Sequence, residues 1–398
     1  MKQLTWWVST VILILIFFNC GKDRPLPTGY SAIFGDKEGR IADTLIVQNP
    51  GTETFYSRLI NTGSSTSLLL GNYQNYHSAI YLKFSDLPDS AQVHSAKLYL
   101  TKSPIDSTLL SSPQTYTANI YHAQYDWDND QDPEQFLDQL PFMNEPFQTV
   151  IITPDTLDKI EFELDTLVVS DWADTISGRI NYGFWINSPD LEGINNFYST
   201  ENVDLDLKPQ LQLIYTYTDT TGKVRDTTTV YANKDAWLFR NSEEILNNLD
   251  TNYFYIGKGL AFRSFLEFDL SGLDTTVHLN RALMKIVINE ANSIRNAADA
   301  SDIIIYRMNG ESTNKIEVDE NPATGSYAGT LIADTLSFDV TPTVQGWIGN
   351  NYPNYGFLVR SFNEEQTLAR IAFYSSKTNS ELQPRLYLYY TLPPKWEF

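Results

Sequence analysis

The sequence predicts an all-β protein made of two tandem antiparallel β-sandwich domains of the jelly-roll type. Two observations carry this: short runs alternate apolar and polar residues, and the runs recur in the same order in both halves. In "KPQLQLIY" (208–215), Leu211, Leu213 and Tyr215 share one face while Gln210 and Gln212 share the other, the period of two of a half-buried strand. In "AKLYL" (96–100), Ala96, Leu98 and Leu100 point inward by the same rule. Aromatics are 13% of the 398 residues, with 24 Tyr, a composition that suits pleated sheet, and Asp, Asn, Pro and Gly punctuate the runs. Helix is expected only as short turns at 132–140 and 243–248.

The recurrence is specific. "YLKFSDLPDSAQVHSAKLYL" (81–100) sets Phe84 against Phe268 and Ala96-Lys97-Leu98 against Ala282-Leu283-Met284 of "FLEFDLSGLDTTVHLNRALMKI" (265–286). Tyr121 then aligns with Tyr306, and "VVSDW" (168–172) with "TVQGW" (343–347). Both are followed by Asn-Tyr-Gly-Phe, at 181–184 and 354–357, then by "FYST" (197–200) and "FYSS" (373–376). Last, "KPQLQLIY" matches "QPRLYLYY" (383–390). Ordered landmarks at similar spacing mark an internal duplication. The expected units are residues 40–216 and 230–391, joined by a linker at 217–229 that lacks apolar periodicity. Phe184, Phe357, Trp172 and Trp347 are expected in the cores, and Asn and Gly of the repeated motif in turns.

The series "FDLSGL", "DVTPTVQGW", "NYGF", "FYSS" and "QPRLYLYY" resembles the DNRLRE domain, which is related to the disaggregatase repeats and to carbohydrate-binding module family 96. The resemblance covers nearly all of 225–391. Residues 40–216 follow more loosely, with "FSDLP" for "FDLSGL" and "LDTLVVSDW" for the Asp-Val-Thr segment. It implies a β-jelly-roll module, often attached to polysaccharide-active enzymes or large secreted proteins, and in some members a carbohydrate binder.

The N-terminus points outside the cytoplasm. Lys2 precedes an apolar run over residues 4–18 that ends in "FFNCGKD", and Cys20 is the single cysteine. The run has the length of a signal-peptide core, and a cysteine directly after it resembles a bacterial lipoprotein signal, with Phe17 and Asn19 departing from the usual residues. Residues 1–20 are thus expected to be a signal ending in lipidated Cys20, 21–39 a tether, and 392–398 a tail. A plain transmembrane anchor is the alternative. Lys22-Asp23 resembles the export tag of surface lipoproteins in Bacteroidetes-type bacteria, which implies the outer membrane of a Gram-negative cell.

A net charge of −21, from 49 acidic and 28 basic residues, argues against nucleic acid as a partner. The four histidines (77, 94, 122 and 278) show no metal-ligand spacing, and neither a Gly-x-Ser-x-Gly nor a phosphate loop occurs. In "DWDNDQD" (126–132), Asp126, Asp128 and Asp130 alternate as calcium ligands would. Gln131 and Leu137 stand where an EF-hand needs Gly and Glu, and the alternative is a solvated loop anchored by Trp127.

Outward strand positions carry the candidate ligand site. Alternation places Tyr81 and Lys83, Lys97 and Tyr99, and Arg385, Tyr387 and Tyr389 on solvent faces. Aromatic rings stack on the apolar faces of sugars, and Lys or Arg pairs with carboxylate or sulfate. The expected function is a non-catalytic surface lipoprotein that binds polysaccharide, with other cell-surface proteins as further partners. The alternatives are a structural or adhesive module without a sugar ligand and, third, a glycan-active enzyme using a carboxylate pair.

Overall fold

The computed structural model describes residues 42–392 apart from 49, 105–113, 131–144, 154–157, 175–179, 221, 240–241, 297, 311–321 and 380. Cys20 with its signal, the tether, the turn of helix expected at 132–140 and the tail from 393 onward lie outside the described residues.

The fold is all-β and sandwich-like, with antiparallel sheets. The first group of strands is β3 (Ser67–Tyr73), β4 (Tyr76–Lys83), β5 (Gln92–Thr101), β6 (Tyr116–His122), β7 (Gln148–Ile152), β8 (Lys159–Glu163), β9 (Phe184–Asn187), β10 (Gly193–Tyr198), β11 (Gln210–Asp219), β12 (Gly222–Tyr231) and β13 (Lys234–Phe239). One sheet runs β10-β3-β4-β9-β6-β7 with β13 also on β4, and the other runs β12-β11-β5-β8. Between them Leu82, Phe84 and Phe184 meet Leu98, Phe162 and Leu211 in one buried cluster.

The second group is β14 (Tyr253–Lys258), β15 (Leu260–Glu267), β16 (His278–Ile294), β17 (Ile303–Met308), β18 (Pro322–Ala328), β19 (Thr330–Ile332), β20 (Thr335–Asp339), β21 (Phe357–Ser361), β22 (Ala369–Tyr374) and β23 (Arg385–Thr391). Two N-terminal strands join it, β1 (Ala42–Gln48) and β2 (Thr52–Leu59). Its sheets run β18-β17-β21-β15-β2 and β1-β23-β16-β20-β19, with β22 on β16 and β14 on β22. Leu266, Phe268 and Phe357 face Met284, Phe338 and Leu386 across the core. Among the described residues the α-helices are α1 (Thr166–Ala173), α2 (Ser242–Asn247), at the turn expected over 243–248, and α3 (Thr341–Ile348). Trp172 on α1 and Trp347 on α3 are buried, as expected.

Several pairings of the two groups correspond. β5 lies between β11 and β8 as β16 lies between β23 and β20, and β9 lies between β4 and β6 as β21 lies between β15 and β17. The repeated Asn-Tyr-Gly-Phe builds one device twice. Asn181 Nδ2 donates to the Phe84 carbonyl at 2.7 Å while its Oδ1 accepts the Gly183 N–H at 2.9 Å. Asn354 does the same with Phe268 and Gly356, at 2.8 and 3.1 Å. Gly356 has φ +80°, and a Cβ there would stand 2.7 Å from the Leu266 carbonyl oxygen, so only glycine fits.

The connection between the halves differs from expectation. The stretch expected as a linker is a hairpin: β11 extends to Asp219 and β12 starts at Gly222, with Asp219 opposite Gly222. Thr and Asp predominate there because both faces near the tip are open to solvent, so no apolar period marks the strand.

That hairpin carries β12 and β13 into the first group, where β12 pairs with β11 and β13 with β4. The corresponding places in the second group, on β23 and β15, are filled by β1 and β2. Each arm is tied in by an acid. Thr200 donates its backbone N–H (2.6 Å) and hydroxyl (3.0 Å) to Asp235 of β13, and Ser376 donates its N–H (2.9 Å) to Glu53 of β2.

Candidate functional site

The proposed outward residues fall on three different sheet faces, each with its own fate. On the β4 face, Tyr81 is 2% exposed, so its expected outward placement at the surface is corrected. The alternation holds, because its neighbours Leu82 and Phe84 do point into the core. A loop over 125–129 folds onto the opposite face and buries it: Trp127 packs with Tyr81, Trp185, Ala236 and Leu238, and its indole donates to the Tyr182 carbonyl at 2.9 Å. Tyr121 stacks on Trp185 with ring centroids 4.0 Å apart.

Lysines hold that loop down. Lys83 Nζ lies 2.7 Å from Asp126 Oδ1, and Lys234 Nζ donates to the Trp127 carbonyl at 2.6 Å and pairs with Asp128. The Lys83 hydrogen bond holds the Asp126 carboxyl below the usual range. Asp126 and Asp128, two of the calcium candidates, thus face ammonium groups, and the third, Asp130, is exposed. Among the described residues no group of three or more His, Cys, Asp or Glu is placed to hold a metal.

The β5 face brings Lys97 and Tyr99 together with Glu161 of β8. Lys97 Nζ is 2.6 Å from Glu161 Oε1, and the Tyr99 hydroxyl donates to Oε2 at 2.9 Å. Lys159 lies 5.0 Å over the Tyr99 ring and bonds Gln210 at 3.1 Å. Register sets Glu163 across from Lys97. The lysines of this face are matched by carboxylates.

The β23 face is different. Arg385, Tyr387 and Tyr389 all point outward, opposite to buried Leu386 and Leu388. Register aligns Ile46, Tyr387, Leu283 and Asp339 in one row, and Gln48, Arg385, Lys285, Ser337 and Thr330 in the next. Lys285 Nζ sits 4.6 Å over the Tyr387 ring, and Arg385 Nη1 approaches the Tyr387 hydroxyl at 3.4 Å. Arg281 lies 3.3 Å from Asp339. Such solvent-facing pairs contribute under about 1 kcal/mol, so their meaning is in the charge pattern rather than in stability. Arg281, Lys285 and Arg385 share the outward positions of β16, β20 and β23 with Asp339, a cluster of cations on an acidic chain.

Beside this row the sheet edge rises into a cavity of about 560 Å³, lined by Arg281, Leu283, Lys285, Ala328, Thr330, Ile332, Thr335, Ser337 and Asp339. Ile332 is 71%, Ile46 40% and Tyr389 37% exposed, so apolar and aromatic surface stands open around the cations. The face thus offers a ring edge, aliphatic surface and cationic ends together, the combination that suits a polyhydroxylated ligand with acidic groups.

Sequence reasoning missed Arg281, Leu283 and Lys285, although "NRALMKI" shows the signal: they alternate with buried Ala282, Met284 and Ile286. Ile46 carried no such signal, because its strand was expected in the other unit.

Comparison with known proteins bears on the same half of the chain. No curated protein matches the sequence. One solved structure, titled "Structure of the Macrobrachium rosenbergii Nodavirus", covers 94% of this chain and 96% of its own at 10% identity, with a TM-score of 0.15, and carries no argument. Carbohydrate-binding module families are generally non-catalytic. Residues 226–390, which supply every residue of the β23 face except those of β1, match the model of one of them, carbohydrate-binding module family 96.

Proposed function

We propose that the protein binds polysaccharide without cleaving it, and does so on the β23 face. The observation that carries this is Tyr387, held between Lys285 and Arg385 within the segment that matches a carbohydrate-binding family. The exposed edge of the ring gives a pyranose an apolar contact, and the flanking cations pair with its carboxylate or sulfate. An acidic glycan is the favoured ligand. A chain of net charge −21 repels polyanions at long range, so only cations clustered at the contact can hold one.

The reading includes two tandem DNRLRE-type modules behind a lipid anchor at Cys20, on the outer surface of a Gram-negative, Bacteroidetes-like cell. There the protein would retain polysaccharide for neighbouring surface proteins. The test is titration of the protein with polygalacturonate, dextran sulfate and uncharged dextran. The acidic polymers are expected to bind, with added salt relieving long-range repulsion while weakening the local ion pairs. Failure of all three to bind would favour a structural module with no sugar ligand.

A further inference from the structure

The segment that matches the family model does not contain the whole β23 face. It includes β13 and most of β12, which pair in the first group, and it contains neither β1 nor β2. If the segment closed on itself, its own first strands would lie on β23 and β15. The strand correspondence then places Thr229 across from Tyr387 and Tyr231 across from Arg385, as they stand across from Gln212 and Gln210 on β11. Instead Ile46 and Gln48 hold those places.

We propose that the N-terminal arm, residues 42–59, closes the chain on itself by completing the second group, and that Ile46 of this arm is a specificity-determining residue of the ligand face. Three observations support the closure. Leu45, Val47 and Phe55 pack against the second core. β2 pairs with β15 along its whole length, from Thr52 opposite Glu267 to Leu59 opposite Leu260. Glu53 is tied to Ser376 just beyond β22, the place that Asp235 holds in the first group.

The ligand role follows from the row Ile46–Tyr387–Leu283. Neighbouring strands lie about 4.8 Å apart, so the row spans about 10 Å of continuous apolar surface, enough for more than one sugar ring. Thr229 in the same place would break that strip with a hydroxyl. This second part rests on the polysaccharide reading above, whereas the closure does not.

Disulfide trapping in the full chain tests the closure. In a Cys20→Ser background, Thr44→Cys with Tyr389→Cys joins positions that pair directly, both exposed. Thr227→Cys with Tyr389→Cys joins positions that meet only if the second unit closes with its own strands. Oxidation is expected to link the first pair within one chain, identified by peptide mapping, and to leave the second pair free. A disulfide in the second pair, or a first pair that links only between two chains, overturns the closure.

Titration with polygalacturonate tests the ligand role. Ile46→Asp is expected to weaken binding about tenfold by setting a carboxylate against an acidic ligand, while Thr229→Asp leaves it unchanged. Equal affinities for the two variants overturn the role of Ile46. A wild-type protein that binds no polymer removes that role along with the reading it rests on, and the cross-links still decide the closure.

Discussion

Thr200 donates both its backbone N–H and its hydroxyl to Asp235, at 2.6 and 3.0 Å, and so fastens the chain beyond β10 to the arm strand β13. Burial pushes the Asp235 carboxyl up to about 7 from 3.8, against the hydrogen bonds from Thr200, which lower it. Burial also raises Glu53 of the other arm. A carboxyl with a higher pKa folded than unfolded favours the protonated state in the fold. Its stabilisation is therefore complete below about pH 4 and is lost as pH rises through about 7. At about 1.4 kcal/mol per pKa unit this amounts to a few kcal/mol at most. Thermal midpoints should fall between about pH 4 and 7, and Asp235→Asn, which keeps an acceptor for the Thr200 N–H, should flatten the fall. An identical slope in the variant would refute this assignment.

Asn354 and Gly356 act as a pair. Asn354→Ala leaves the Phe268 carbonyl and the Gly356 N–H without their side-chain partner, which should cost about 1–3 kcal/mol. Gly356→Ala forces a Cβ toward the Leu266 carbonyl at a positive φ and should cost at least as much. Urea denaturation of each variant measures both, and wild-type midpoints would show that the turn has other support.

The loop over 125–129 should be held by packing and lysine contacts without calcium. Trp127→Ala is expected to destabilise the protein by about 3–5 kcal/mol, because Trp127 is 2% exposed and covers Tyr81 and Trp185. Millimolar calcium should leave the wild-type melting temperature unchanged, since Lys83 and Lys234 already face Asp126 and Asp128. A calcium-dependent rise would reinstate a metal at Asp126, Asp128 and Asp130.

The β23 and β5 faces should differ in ligand binding. Tyr387→Ala with Arg385→Ala is expected to weaken acidic-polysaccharide binding ten- to thirty-fold, about 1–2 kcal/mol. Tyr99→Ala with Lys97→Ala should change it little, because Glu161 already occupies both side chains. Calorimetric titration of the two double variants separates them, and the reverse order would move the site to the first group.

Metabolic labelling with a palmitate analogue should mark the wild-type protein and not Cys20→Ser. Equal labelling of both would remove the lipoprotein assignment.

What the sequence disclosed and what it hid divide along the range of the interaction. Ala96, Leu98 and Leu100 point inward as their spacing demands, and Asn354-Tyr355-Gly356-Phe357 forms the turn its residues favour, because both depend on neighbours in the chain. Tyr81 lies on the expected face but under a loop more than forty residues away, which no local period reveals. Lys285 was legible from its alternation with Met284 and Ile286. Ile46 was not, since alternation tells which face a residue takes and never which strand it lies beside.

The arm also imposes an order on biosynthesis. β1 and β2 leave the ribosome first, yet β23, on which β1 must settle, leaves last. Long before that, β4 and β11 present a berth of the same shape. It is taken instead by β12 and β13, because β12 follows β11 within a few residues and so meets it at a far higher effective concentration than the distant N-terminus can reach. Chain proximity thus sorts two similar hairpins between two similar berths. The pairing of β1 with β23, the contact of widest sequence separation, is therefore expected to be the slow step of folding.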